Sequence, residues 1–141
     1  MTTKGSCYCG AVTLEIEGDP AAQLICHCND CSKWGSLNLA VLYPRDNVKV
    51  TGDLDAFSKP KDGKPNEGCI RKTCAKCHCN VVVDHPPMGL VDVKASILDG
   101  KSFEPQMHIF YSEKRWAVKD GLPKFKNMPK DFGGDGETME E

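Results

Sequence analysis

No apolar run in this chain approaches the length of a membrane span, and the first ten residues, MTTKGSCYCG, lack the hydrophobic stretch of a signal peptide. A cytoplasmic or nuclear location with no membrane partner is therefore the expectation. Charge of one sign is lacking too. Eighteen Lys and Arg against 20 Asp and Glu leave a net charge of −2, so no overall field draws the chain to nucleic acid. Helix signals are sparse. NDCSKW reads as one turn capped by Asn29 or Asp30, and SEKRWA as another begun by Ser112. No internal repeat is present beyond recurring cysteine pairs.

Alternation of apolar and polar residues fills the space left by helices. AVTLEIEG places Val12, Leu14 and Ile16 on one face and Thr13, Glu15 and Glu17 on the other, the pattern of a half-buried strand. SLNLAVLYP repeats it with Leu37, Leu39, Val41 and Tyr43 inward. NVKVTG, DAFSK, CIRKTC, NVVVDH, LVDVKASIL and QMHIFYS are further strands. KPKDGKPNEG, with two prolines and two glycines, is an exposed hairpin loop. These patterns predict a mostly antiparallel β protein: a single domain over residues 1–128, and a flexible acidic tail over 129–141, where KDFGGDGETMEE is rich in glycine and carboxylates.

What the chain has in excess is cysteine, nine in 141 residues. In a reducing compartment, clustered cysteines bind metal or do chemistry more often than they form disulfides. Three clusters stand out: Cys7 and Cys9 in GSCYCG; Cys26, Cys28 and Cys31 in CHCNDC; and Cys74, Cys77 and Cys79 in CAKCHC. Thiolates on one tetrahedral zinc lie about 2.3 Å from the metal and hence about 3.8 Å from one another. C-x-C and C-x-x-C turns reach that separation readily. Pairing Cys7 and Cys9 with Cys74 and Cys77 would complete a closed structural zinc. Cys26, Cys28 and Cys31 would then form a set of three, the ligand count of a catalytic zinc with a further position for substrate. Spacing leaves open whether Cys79, Cys69, His27 or His78 closes that second site.

The sequence resembles the glutathione-dependent formaldehyde-activating enzyme family, which also contains centromere protein V. The resemblance is carried by GSCYCG, CHCNDCSKWG and CAKC, and then by Leu98, Asp99, Phe103, Pro105, His108, Ile109 and Trp116, all in order from Gly5 to about Phe125. It implies a β-tent fold of two antiparallel sheets with a structural zinc on Cys7, Cys9, Cys74 and Cys77. It further implies a second, catalytic zinc on Cys26, Cys28 and Cys31, open to the thiol of glutathione. The chain departs from the family pattern at His78, where glycine is usual, at Thr73, where an aromatic residue is common, and at Tyr8, which replaces a frequent histidine.

Two zinc ions per chain and a small thiol such as glutathione are thus the expected cofactor and partner. The expected activity is carbon–sulfur lyase chemistry, forming or cleaving S-hydroxymethylglutathione or a related thiol conjugate. Three thiolates make a metal centre anionic, so it polarises water less than histidine-rich zinc does, and sulfur transfer suits it better than hydrolysis. The alternative is a zinc-stabilised binding module without catalysis. No proton donor stands out. His27 and His108 read as packed histidines, Asp30 as a turn-former or an orienting group, Trp34 and Trp116 as anchors, and Lys59, Lys61 and Lys64 as a solvated loop.

Overall fold

A computed structural model describes all residues from 1 to 141. Ten strands in two sheets dominate it, with one α-helix of two turns and several short 3-10 turns. The mostly β architecture expected from the alternating segments is present. The helix is too short to cross a membrane, as is every 3-10 turn. The chain divides into two compact units: residues 1–21 with 41–102, and residues 22–40 with 103–141.

In the first unit, β1 (Thr2–Ser6), β2 (Thr13–Glu17) and β5 (Val48–Thr51) form an antiparallel three-stranded sheet. Leu14 and Ile16 of β2 are buried while Thr13, Glu15 and Glu17 are exposed, as period-two alternation demands. A second antiparallel run joins β6 (Leu54–Phe57), β7 (Ile70–Cys74), β8 (Asn80–His85) and β9 (Leu90–Lys94) in chain order. The loop between β6 and β7 is the expected polar hairpin, closed by reciprocal Lys61 and Lys64 backbone bonds. Val81, Val82 and Val83 are all buried, so β8 is covered on both faces. The segment expected as one strand through Leu98 bends after Lys94 into a 3-10 turn, Ala95–Ile97. That turn lets the Ile97 carbonyl approach Gly5, where a Cβ would come within 2.5 Å of its oxygen. The first glycine of GSCYCG is therefore fixed by this close approach, whereas the second, Gly10, is fixed by a φ of +82°.

One ion pair anchors this unit. Arg45 Nε and Nη2 donate to the two carboxylate oxygens of Asp84 at 2.8 and 3.0 Å, and the Asp84 side chain is 3% exposed. Burial pushes the Asp84 carboxyl up, but Arg45, helped by Lys72, outweighs it and holds the group below its ordinary value. A carboxyl lowered by folding stabilises the native state fully above about pH 4 and loses that contribution as pH falls through the folded value. Arg45→Ala should lower stability at pH 7, because it strands the buried Asp84 carboxylate. Denaturant titrations should show the gap to wild type narrowing in acid, where the stranded carboxylate takes up a proton.

In the second unit, β3 (Ala22–Cys26) pairs with β10 (Met107–Ile109) in parallel, unlike the antiparallel pairs described in the first unit. The helix α1 (Asn29–Gly35) follows β3 after two residues, and β4 (Asn38–Pro44) begins here and ends in the first unit. The N-cap of α1 is Cys28, whose sulfur accepts the Cys31 N–H, rather than the expected Asn29 or Asp30. After β10, Phe110 adopts φ +52° and turns the chain into a 3-10 turn, Tyr111–Glu113. The residues after 120 fold back along this unit. The His108 N–H donates to the Pro123 carbonyl and the Phe125 N–H to the His108 carbonyl, on either side of Lys124, and the Met139 N–H donates to the Lys124 carbonyl.

Candidate metal centres

Two groups of cysteines converge, each inside one unit. Cys7 and Cys9 lie on the turn after β1, and Cys74 and Cys77 on the tight turn after β7. Their four sulfurs all fall within 4.8 Å of one another. Cys7 to Cys9 is 3.6 Å and Cys9 to Cys74 is 3.8 Å between sulfurs, close to the edge of about 3.8 Å for a zinc–thiolate tetrahedron. Backbone N–H groups already point at these sulfurs. Val12 donates to Cys7 at 3.3 Å, and Lys76 and Cys77 donate to Cys74 at 3.4 Å. Such bonds favour the thiolate. The donor set and its spacing fit zinc.

The turn has a further requirement. His78 adopts φ +63° while its N–H reaches back to the Cys74 carbonyl at 2.9 Å. This is a left-handed position of the kind that favours glycine, occupied here by histidine. Tyr8, inside the first C-x-C, is 92% exposed, so nothing around it selects its side chain.

The second group is Cys26 at the end of β3, Cys28 at the cap of α1 and Cys31 in its first turn, again with sulfurs within 4.8 Å. A C-x-C-x-x-C run can do this because the extended strand end turns directly into a helix. The Cys31 N–H holds the Cys28 sulfur at 3.3 Å, and Asn38 Nδ2 donates to the Cys31 sulfur at 3.6 Å. Cys26 and Cys31 are buried and Cys28 is half-buried. The group closes at three. Cys69, His78 and Cys79 belong to neither group, and the Cys79 thiol instead donates to the Asn80 carbonyl at 3.4 Å. Three soft sulfurs in this arrangement also fit zinc.

The thiols within each group perturb one another. Burial works against ionisation of Cys7, yet the Val12 N–H and the sulfurs of Cys9, Cys74 and Cys77 bring it down to about 6. At Cys9 the Ala11 N–H favours the thiolate, but burial and the same neighbours push the group up to about 11. Hydrogen bonds from Cys28 and Cys31 together with burial drive Cys26 well up. Cys28 rises to about 11, because Cys31 and burial outweigh the help of Cys26. Packed thiolates repel, so the second and third protons leave with difficulty until a cation offsets the accumulating charge.

Aromatic residues pack around His27, the residue between Cys26 and Cys28. The His27 ring, between two of the cysteines, stacks on His108 at 5.0 Å and meets Tyr111 edge-on at 5.1 Å. Burial, with His108 and two lysines nearby, takes its pKa down to about 4, so the ring is neutral at pH 7. Trp116 leans on His27 at 5.7 Å between centroids and stays half-exposed. Arg115 reaches back to Asn29 Oδ1 at 2.6 Å. His27 and His108 are thus packed as expected, but they are also hydrogen-bonded to each other. Asn38, Tyr111 and Asp120 gave no signal in the sequence.

Over residues 2–113 the chain matches the family described as glutathione-dependent formaldehyde-activating enzyme. The chain belongs to this family. Among solved structures, a crystal structure of a Rhodobacter sphaeroides protein is similar in fold, with a TM-score of 0.57 and 22% identity, covering 70% of this chain and 90% of that one. No curated protein matches. The matched residues include both converging cysteine groups.

Proposed function

We propose that this protein is a zinc-dependent carbon–sulfur lyase-type enzyme that forms and cleaves S-hydroxymethylglutathione or a closely related thiol conjugate. The observation that carries this reading is the group of Cys26, Cys28 and Cys31, which gathers three protein sulfurs and no fourth side-chain ligand. Family membership supports glutathione and formaldehyde as the reactants. In this reading Cys7, Cys9, Cys74 and Cys77 hold a structural zinc, and the other three cysteines hold a catalytic one.

Zinc bound to Cys26, Cys28 and Cys31 would supply a cation that keeps an incoming thiol as its thiolate, whereas a free thiol near pKa 8.5 is only about 3% ionised at pH 7. The balance of the reaction is simple. The thiol gives up its proton, its sulfur bonds to the aldehyde carbon, and the former carbonyl oxygen gains a proton; cleavage reverses each change. The chain's own part is to hold the three sulfurs in place. The helix cap fixes Cys28, the Asn38 amide fixes Cys31, and the β3–β10 pairing fixes Cys26. Clustered metal-binding cysteines suit a reducing compartment such as the cytoplasm.

A closed second site, as in a purely structural module, would need a fourth side chain at these sulfurs, and none from their own unit joins them. Exchange NMR on the zinc-loaded protein with formaldehyde and glutathione tests the reading. Interconversion of free and hydroxymethylated thiol should run well above the uncatalysed rate. Interconversion at the background rate, with both zincs bound, would remove this substrate pair.

A further inference from the structure

A cleft opens in the first unit, lined by none of the converging cysteines, and the proposed reaction does not account for it. Strand register builds one wall. Lys72 stands opposite Val82 and Asp84 opposite Val91, and alternate residues of a strand share a face. One face of β7, β8 and β9 therefore carries Lys72, Val82, Asp84 and Val91, and all four line the cleft. A second wall comes from β5. Val48 and Val50 stand opposite Ile16 and Leu14, on the covered face of the three-stranded sheet, yet both stay half-buried. Leu54, the first residue of β6, is half-buried as well. Aliphatic surface is thus left open to water here. The volume is about 300 Å³, at the lower end of the range of pockets that take small organic ligands.

Two cations and two carboxylates edge this apolar surface, and they are not equivalent. Asp84 is the most buried, and Arg45 takes both of its oxygens at 2.8 and 3.0 Å. That pair neutralises itself. Lys72 Nζ lies 3.8 Å from Asp84 Oδ2, too far for a hydrogen bond, and its side chain is 31% exposed. An ammonium with three donors is therefore held at the cleft without bonding the carboxylate beside it. Asp46, on the turn next to Arg45, is exposed, so water and salt screen its charge. Lys72 is the charge that a guest in the cleft meets with the least screening.

We propose that this cleft binds a small organic monoanion, a carboxylate on an aliphatic body, with the carboxylate on Lys72 Nζ and the body against Val48, Val50, Leu54, Val82 and Val91. Charge sets the class. A cation would be repelled by Lys72 and would find Asp84 already neutralised. A dianion such as a phosphate ester would bring a second charge that one ammonium does not offset, next to two carboxylates. An uncharged guest would cover the apolar surface and leave the ammonium unbonded. Volume sets the size. At about 30 Å³ for each water displaced, the cleft holds about ten non-hydrogen atoms. The site goes beyond the lyase reading and does not rest on it.

Hexanoate is the probe, with hexanol, hexylamine and inorganic phosphate as its controls. Methyl spectra of the zinc-loaded protein should show saturable shifts at the five cleft residues with hexanoate, at a Kd on the order of 1 mM. Intermolecular Overhauser effects should connect the hexanoate methylenes to the same methyls. Hexanol and hexylamine should bind about tenfold more weakly, and phosphate should leave the methyls unmoved. Lys72→Met keeps the aliphatic stem and removes the ammonium. Its affinity for hexanoate should fall about tenfold, to that for hexanol, with methyl positions outside the cleft unchanged. No saturable shift with hexanoate, or Overhauser contacts away from the cleft, would overturn the site in wild type, without any variant. Hexanol or hexylamine binding as tightly as hexanoate, or Lys72→Met binding it undiminished, would overturn the anionic class and the role of Lys72. Phosphate moving the same methyls as far would overturn the need for an aliphatic body.

Discussion

Cys74→Ser should yield a chain that no longer unfolds cooperatively. Cys74 is fully buried at the end of β7, and its sulfur is the point on which the Lys76 and Cys77 N–H groups and the Cys9 sulfur converge. Through it, a turn near the N-terminus is joined to a hairpin 65 residues later. Structural zinc contributes apparent binding energies of about 10–16 kcal/mol, as much as the whole stability of about 5–15 kcal/mol that a domain possesses. A serine hydroxyl is a poor ligand for a metal chosen by soft sulfur. Zinc content should fall from two per chain to one or fewer, and near-ultraviolet dichroism and the thermal transition should both collapse. A variant that melts like wild type would show that the four-sulfur group holds little of the fold.

Much of that fold is legible in the sequence, for a physical reason. Strands with one face in water write their burial as alternation, so Leu14 and Ile16 announce β2 directly. The failures have the same origin. In β1 the buried positions are Thr3 and Gly5, which carry no hydrophobic signal although Gly5 is demanded by its contact with Ile97. In β4 the alternation put Leu37 and Leu39 inward, yet Leu37 is exposed and Asn38, Ala40, Val41, Leu42 and Tyr43 are all buried. A strand covered on both faces hides its register, and a shift of one residue reverses every side chain. That is how Asn38, the donor to Cys31, escaped notice.

Local spacing explains why the cysteine groups were readable and their surroundings were not. Cys26, Cys28 and Cys31 sit in six consecutive positions, so their convergence is a property of one turn. The connection from His27 to His108 spans 81 residues, and Asp120 comes from a polar loop segment, KDGLPK, that looks like any exposed turn. No periodicity encodes such a contact. It exists because β10 runs parallel to β3 and sets His108 opposite Ile25, two positions from the Cys26–Cys28 turn's centre.

Cys28→Ser should separate the two sites as cleanly as Cys74→Ser merges fold and metal. The Cys28 sulfur caps α1 by accepting the Cys31 N–H, and serine is among the best residues for that role. The helix therefore keeps its first turn, and no buried packing is lost at a half-buried position. Coordination is different, since only Cys26 and Cys31 remain and two sulfurs do not hold zinc at a site that had three. Zinc content should drop from two per chain to one, with the melting temperature within a few degrees of wild type. Thiol–formaldehyde exchange should fall by more than about a hundredfold, beyond the 10–100-fold typical of losing an outer-shell partner. Equilibrium dialysis with metal analysis, thermal unfolding and exchange NMR on one preparation measure all three. If Cys28→Ser unfolds the chain as badly as Cys74→Ser, both sites are structural and the assignment of catalysis to the three-sulfur group is wrong. If it binds one zinc, folds and still turns over at the wild-type rate, the chemistry lies elsewhere in the molecule.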